Sequence, residues 1–215
     1  MTLGYDLYWS FRSPYSYMAT PRLLALEQDY DVACNVRPVY PLAVRTPEFF
    51  EQQDPLWVGY FMTDVFREAA FLGLPFRWPR PDPVQRSPDE GYRTPQPYIH
   101  RLTHLGVAAA EHGRGLPFLR EVSQTIWSGE TDNWHEGDHL ARAAERAGLD
   151  FAELAAAVDA DPARFVAVVE ENQLAQRAAG HWGVPMMVFG GEAFFGQDRF
   201  DQLKWRMEGL GLERR

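Results

Sequence analysis

Short apolar runs broken by turn signals divide the first forty residues into three elements. Leu3–Trp9 is rich enough in apolar and β-favouring residues to read as a strand. Pro14–Asp29 follows as a helix, with Tyr17, Leu23, Leu24 and Leu26 available for its buried side. Val32–Tyr40 reads as a second strand in which Val32, Cys34 and Val36 share one face by period two. This β-α-β opening implies a right-handed parallel pair if both strands lie in one sheet. Pro41 to Pro55 is irregular, Leu56–Leu72 is helical, and the proline-rich stretch Pro75–Tyr98 is an extended loop. Helices are then expected at Leu102–His112, Leu116–Trp127, His135–Ala147, Phe151–Asp159 and Pro162–Gly180, the last with Asp161 as N-cap. Strand pattern resumes at Met186–Phe189, turns at Gly190-Gly191 and returns through Glu192–Phe195, before a last helix over Asp198–Glu208.

Composition narrows the function classes. The 215 residues can bury a substantial core, and 46% apolar with 24% charged residues is an ordinary globular balance. Twenty-one basic against 30 acidic residues leave a net charge of −9, and no basic cluster interrupts it, which argues against nucleic acid and anionic membranes. Lys204 is the only lysine. No apolar run is long enough to span a bilayer, no signal-peptide pattern precedes the first strand, and the single Cys34 has no internal disulfide partner. A cytoplasmic location is expected.

The chemistry centres on Ser13-Pro14-Tyr15-Ser16. Proline suits the first position of a helix, so Ser13 is the natural N-cap. Thioredoxin-like enzymes place the first cysteine of a Cys-x-x-Cys pair here, where the helix N-terminus favours a thiolate. Both cysteine positions are serine in this chain, so disulfide exchange is chemically excluded. If this corner carries thiol chemistry, the thiol must come from outside, and glutathione is the expected carrier.

Trp9-Ser-Phe-Arg-Ser-Pro-Tyr-Ser-Tyr17, Gly183-Val-Pro185 and Phe195-Gly-Gln-Asp-Arg-Phe200 closely resemble segments of the 2-hydroxychromene-2-carboxylate isomerases and the kappa-class glutathione transferases. These are DsbA-like proteins without the cysteine pair, and the likeness in layout runs nearly the full chain. It implies an α/β, thioredoxin-like fold with a large helical insertion: residues 1–40 and 181–215 as the thioredoxin-like domain, 41–180 as a mostly helical insertion domain. It further implies a glutathione-dependent isomerase or transferase acting on a small aromatic substrate, in a homodimer. Ser13 would be catalytic, donating a hydrogen bond to the glutathione sulfur. Val184 would hold the cysteinyl unit through backbone groups freed by a cis Pro185, as in a short strand addition. Gln197 and Asp198, at the start of the last helix, would hold the γ-glutamyl end, Asp198 pairing with its α-amino group.

Other features read more plainly. The resembling families supply an Asn and a Lys after the second strand, whereas Phe49–Tyr60 offers Gln52, Gln53 and Asp54, with Val58 near the basic position. Arg45 is the candidate substitute; weaker glutathione binding or a different cofactor are the other possibilities. Trp9, Phe11, Tyr60 and Phe61 are expected to wall an apolar pocket, with arginines for a substrate carboxylate. The pairs His135/His139 and His100/His104 lack a third ligand and read as structural, with no metal expected. Trp127 and Trp134 read as loop packing, with an aromatic lid as the alternative. Cys34 is expected to be buried and inert. The competing overall reading is a DsbA-like binding module without thiol chemistry.

Overall fold

In the computed structural model, which describes residues 2–215, β1 (Leu3–Trp9) runs parallel to β2 (Val32–Pro38), with Leu3 opposite Val32 and Leu7 opposite Val36. On its other edge β1 pairs antiparallel with β3 (Met186–Phe189), and β4 (Glu192–Phe195) completes the order β2-β1-β3-β4. Gly190 and Gly191 both take positive φ (59° and 81°), as a two-residue hairpin turn requires. β1 is buried on both faces. Tyr5, Leu7 and Trp9 enter the main core, while Tyr8 packs with Val39 and Met186 on the other side.

The crossover between the parallel strands is α1 (Pro14–Asp29). Its interior Pro21 leaves the Tyr17 carbonyl without its usual helical donor. The helical stretch contains α2 (Leu42–Arg45), α3 (Pro55–Phe71), α4 (Ile99–Glu111), α5 (Gly115–Trp127), α6 (His139–Arg146), α7 (Phe151–Ala160) and α8 (Pro162–Ala178). After β4 comes a 3₁₀ turn (Gln197–Arg199) and then α9 (Phe200–Glu208). Side chains from the sheet, from α1 and α9, and from the helical stretch share one hydrophobic cluster, which includes Leu7, Leu23, Leu105, Phe118, Phe165 and Met207. No helix among the described residues is long and apolar enough to cross a membrane.

Among the boundaries that differ from expectation are those of β2 and of the sixth helix. β2 ends at Pro38, so Tyr40 lies in a loop, where its hydroxyl sits 2.6 Å from His104 Nε2. α6 begins at His139 rather than His135, because Asn133 (φ 51°) and Gly137 (φ 59°) take left-handed backbone that a helix cannot continue. His135 and His139 therefore do not stack on successive turns of one helix. Trp134 and Trp127 are both fully buried, their indole N–H groups donating to the Pro81 carbonyl (2.8 Å) and the Phe11 carbonyl (2.9 Å). Neither is a lid.

His104 is buried, its ring stacked against Phe165, and burial pushes its pKa below the ordinary 6.5; burial lowers His100 and His181 in the same direction. A base whose folded pKa is depressed binds its proton more readily when unfolded. Its contribution is therefore intact above the unfolded pKa and is lost as pH falls through about 6.5 toward the folded values. The denaturation midpoint is expected to drop across that window, and His104→Gln should flatten part of the drop. A wild-type midpoint that rose on acidification there would contradict the assignment.

Candidate functional site

The corner between β1 and α1 places Ser13 at the N-cap with extended backbone (φ −96°, ψ 116°) and Pro14 at the first helical position. The Ser13 hydroxyl oxygen accepts the Ser16 N–H at 3.1 Å. Its hydrogen is directed at the Val184 carbonyl, 3.3 Å away and 171 residues distant in the chain. Trp9 fixes this corner, its indole N–H donating to the Ser16 carbonyl (3.1 Å) and to Thr20 Oγ1 (3.2 Å) in the core. Ser16 is fully buried and its hydroxyl has no partner among the described residues. The two positions of the redox pair thus hold a capping hydroxyl and a sequestered one.

Val184–Pro185 is a cis peptide bond facing Ser13, as expected. β3 starts one residue later, and among the described residues no backbone hydrogen bond engages the Val184 N–H. The loop is braced from behind. Gln176 Nε2 donates to the Gly183 carbonyl at 2.7 Å, and Arg45 donates to Gln176 Oε1 (3.1 Å) and to the Trp182 carbonyl (2.9 Å). Arg45 has no carboxylate partner among the described residues; burial, together with the Arg177 charge, lowers its pKa to about 10. Gly183 lies under the Phe195 ring, where a Cβ would collide, so glycine is required by space.

The Pro185 carbonyl accepts the Gly196 N–H at 2.9 Å, which brings Gln197 and Asp198 to the same edge. Here the local structure departs from expectation. Asp198 does not open the last helix, because residues 197–199 form a 3₁₀ turn and α9 begins only at Phe200. Its carboxylate is solvent-facing and accepts from Arg199 Nη1 at 2.9 Å. Gln197 is buried instead, clamped by residues with no local signal in the sequence. Arg22 from α1 donates to both its main-chain and side-chain carbonyl oxygens, and its own amide donates to Glu68 of α3 at 2.7 Å.

A cavity of about 280 Å³ is lined by Arg12, the residue before Ser13, and by Trp57, Phe61, Trp78, Arg86 and Tyr92 among others; Ser13 itself is not in its wall. Of the four expected wall residues only Phe61 serves. Trp9 and Phe11 point into the core, fully buried, and Tyr60 points outward. The walls come instead from α3 and from the loop before α4. Val58, at the expected basic position, contributes apolar lining. Arg12 stacks over Trp78 and is held by both oxygens of Asp82 (3.1 and 2.9 Å), so its charge is largely matched. Arg86 lies over Tyr92 with no carboxylate partner among the described residues, and Glu51 also borders the cavity.

A family model described as a DSBA-like thioredoxin domain matches residues 6–208. The chain belongs to that family. As a DSBA-like protein it is similar in structure to a 2-hydroxychromene-2-carboxylate isomerase, at 22% identity and TM-score 0.72 over 97% of this chain and 96% of the other. A probable DsbA oxidoreductase from Streptomyces coelicolor is 19% identical with TM-score 0.66, covering 96% of this chain and 90% of that one. The cytosolic disulfide reductase DsbM from Pseudomonas aeruginosa, solved with GSH, is 15% identical with TM-score 0.59, covering 96% and 100%. At such identities the likeness is one of fold. No curated protein matches the chain.

A DSBA-like fold with Ser13 and Ser16 leaves Cys34 as the only native thiol. It sits in β2 opposite Tyr5, half-buried rather than fully buried as expected, and desolvation of its thiol pushes the pKa well above the ordinary range. Alkylation of the native protein is expected to be slow and to accelerate on unfolding, with no insulin-reductase activity. Rapid labelling without denaturant would place the thiol at the surface.

Proposed function

We propose that this protein is a glutathione-dependent isomerase or transferase of small aromatic compounds, resembling 2-hydroxychromene-2-carboxylate isomerase. The observation that carries the reading is the convergence of the Ser13 hydroxyl, the unengaged Val184 N–H and the Gly196–Asp198 turn on one edge. These groups suit a γ-linked tripeptide thiol. The Val184 N–H and C=O would pair with the cysteinyl backbone. Asp198 would take the α-amino group, while the buried Gln197, fixed by Arg22 and Glu68, sets the position of that turn. We assign the glycyl carboxylate to Arg45, the guanidinium held against Trp182 on the other flank of the loop.

Bound glutathione would supply a thiolate that adds to a conjugated double bond, makes it a rotatable single bond and leaves by elimination. The protein's part is electrostatic and positional. Turning from the Val184 carbonyl, the Ser13 hydroxyl donates to the sulfur and frees that carbonyl for the peptide. The first-turn N–H groups of α1 favour the anion, lowering the thiol pKa. The aromatic cavity that Arg12 borders would hold a planar substrate, with Arg86 as the cation for its carboxylate.

The test is retention on immobilised glutathione with elution by the free tripeptide, followed by turnover of a hydroxychromene carboxylate with and without glutathione. Retention and glutathione-dependent turnover are expected. Retention without turnover on any aromatic acid would favour the binding-module reading.

A further inference from the structure

Residues 181–184, which carry the Val184 edge, make no backbone–backbone hydrogen bond among the described residues; the ladder with β1 begins only at Met186. Side chains hold this loop instead. Arg45 donates to the Trp182 carbonyl, Gln176 to the Gly183 carbonyl and Ser13 to the Val184 carbonyl. The remaining support is of the opposite kind. The Gly183 N–H donates to Nδ1 of His181 at 2.8 Å, and among the described residues no other N–H of the loop is met by a side chain. An imidazole nitrogen that accepts carries no hydrogen, so the proton of neutral His181 lies on Nε2. The ring is held in place by stacking, on Phe195 at 3.8 Å and on Trp182 at 5.0 Å.

We propose that His181 is a positioning residue for the Val184 edge, engaged only while its ring is neutral, so that acid releases the loop. What the edge binds rests on the glutathione reading; the latch itself is a property of the unliganded chain. Protonation places a hydrogen on Nδ1, and two donors then face each other across the same gap. Gly183 is buried, so its N–H cannot turn to water without the loop moving. Val184 is the next residue and moves with it. The other three supports are a hydroxyl, an amide and a guanidinium, none of which changes charge near neutrality. His181 is therefore the support of this loop that pH can switch.

The surroundings favour the neutral ring. Phe195 at the end of β4 and Trp182 present aromatic faces to it. The acids on the neighbouring elements are engaged elsewhere: Glu192 of β4 by Arg206, Asp198 beyond β4 by Arg199, and Glu48, beside the Phe49 that packs on Trp182, by Arg93. The cations on this flank are Arg45, bonded to the Trp182 carbonyl, and Arg177 at the end of α8, both of like charge to an imidazolium. Burial holds the His181 pKa below the ordinary 6.5. A depressed pKa means that the contact is intact above about 6.5 and is lost as pH falls through the folded value beneath it.

The test has two arms. In the unliganded wild type, the Gly183 amide resonance should shift along the His181 imidazole titration, followed by NMR. The second arm is calorimetric titration with S-methylglutathione, whose capped sulfur does not ionise, so pH acts through the protein. Its Kd should be level above pH 7 and rise by about tenfold for each pH unit below the His181 pKa, as one required deprotonation dictates. His181→Asn offers a side-chain oxygen that accepts the N–H two residues on, as in an Asx turn, and does not titrate. It should bind more tightly than His181→Ala at pH 7.5, and its Kd should lose the rise in acid. A Gly183 amide indifferent to the His181 titration overturns the proposal, as does the same acid rise in His181→Asn as in wild type. Failure of S-methylglutathione to bind at any pH would defeat the glutathione reading, and the Gly183 titration then decides the latch by itself.

Discussion

Ser13→Ala is expected to slow glutathione-dependent turnover by about 10- to 150-fold while the protein stays folded. The hydroxyl is the one side-chain donor that the β1–α1 corner offers to a sulfur at the α1 N-terminus. Removing a hydrogen bond to a charged group costs about 1.5–3 kcal/mol, and each ~1.4 kcal/mol is tenfold in rate. Loss of the cap to the Ser16 N–H costs stability of only about 1 kcal/mol, so folding and chemistry separate cleanly. Asp198→Ala should behave differently, raising KM for glutathione with little change in kcat, because its contact is remote from the sulfur. Equal turnover in Ser13→Ala, measured at saturating glutathione, would remove the hydroxyl from the mechanism.

Trp127→Ala is expected to destabilise the protein by about 3–5 kcal/mol, the range for deleting a buried aromatic side chain. The ring is fully buried, stacks on Phe76 at 5.6 Å and meets Trp78 edge-on at 5.5 Å. Its N–H satisfies the Phe11 carbonyl, and its own carbonyl accepts the Arg77 N–H at 2.8 Å. One residue thus ties the Ser13 corner to the loop that carries Trp78 and Arg86. For a chain of this size a loss of that order lowers Tm by roughly 6–20 °C. Trp127→Phe keeps most of the packing and strands one carbonyl, so a smaller loss of about 1–3 kcal/mol is expected. Calorimetric unfolding of both variants checks this; a Trp127→Ala shift no larger than that of Trp127→Phe would show that packing at this position contributes little.

The legible parts of the site were those written in local chemistry. A serine before a proline that opens a helix is an N-cap in any context, and Val-Pro ahead of a short strand announces the loop that faces it. The same holds for the Gly-Gly hairpin and for Asp161 capping α8. Asp198 misled because Gly-x-Asp before an amphipathic run is equally a 3₁₀ turn, and nothing in composition separates the two. The pocket walls failed for another reason. Period two shows which residues share a face of β1 but not whether that face meets the core; Trp9 meets it, and so does Phe11 in the turn beyond the strand. The true walls lie partly in the proline-rich loop, whose path depends on Trp127 and Trp134 holding it from other segments. Arg22 and Glu68 were silent because they reach Gln197 from 175 and 129 residues away.

The most direct measurement is the thiol pKa of glutathione bound to the wild-type protein, followed by thiolate absorbance as pH is varied. With the Ser13 hydroxyl and the α1 N-terminus acting on the sulfur, it should titrate well below the ~8.5 of a free thiol, and Ser13→Ala should move it back upward. A bound thiol that titrates as it does in water, or glutathione that does not bind at all, would contradict the assignment of this edge as a thiolate site.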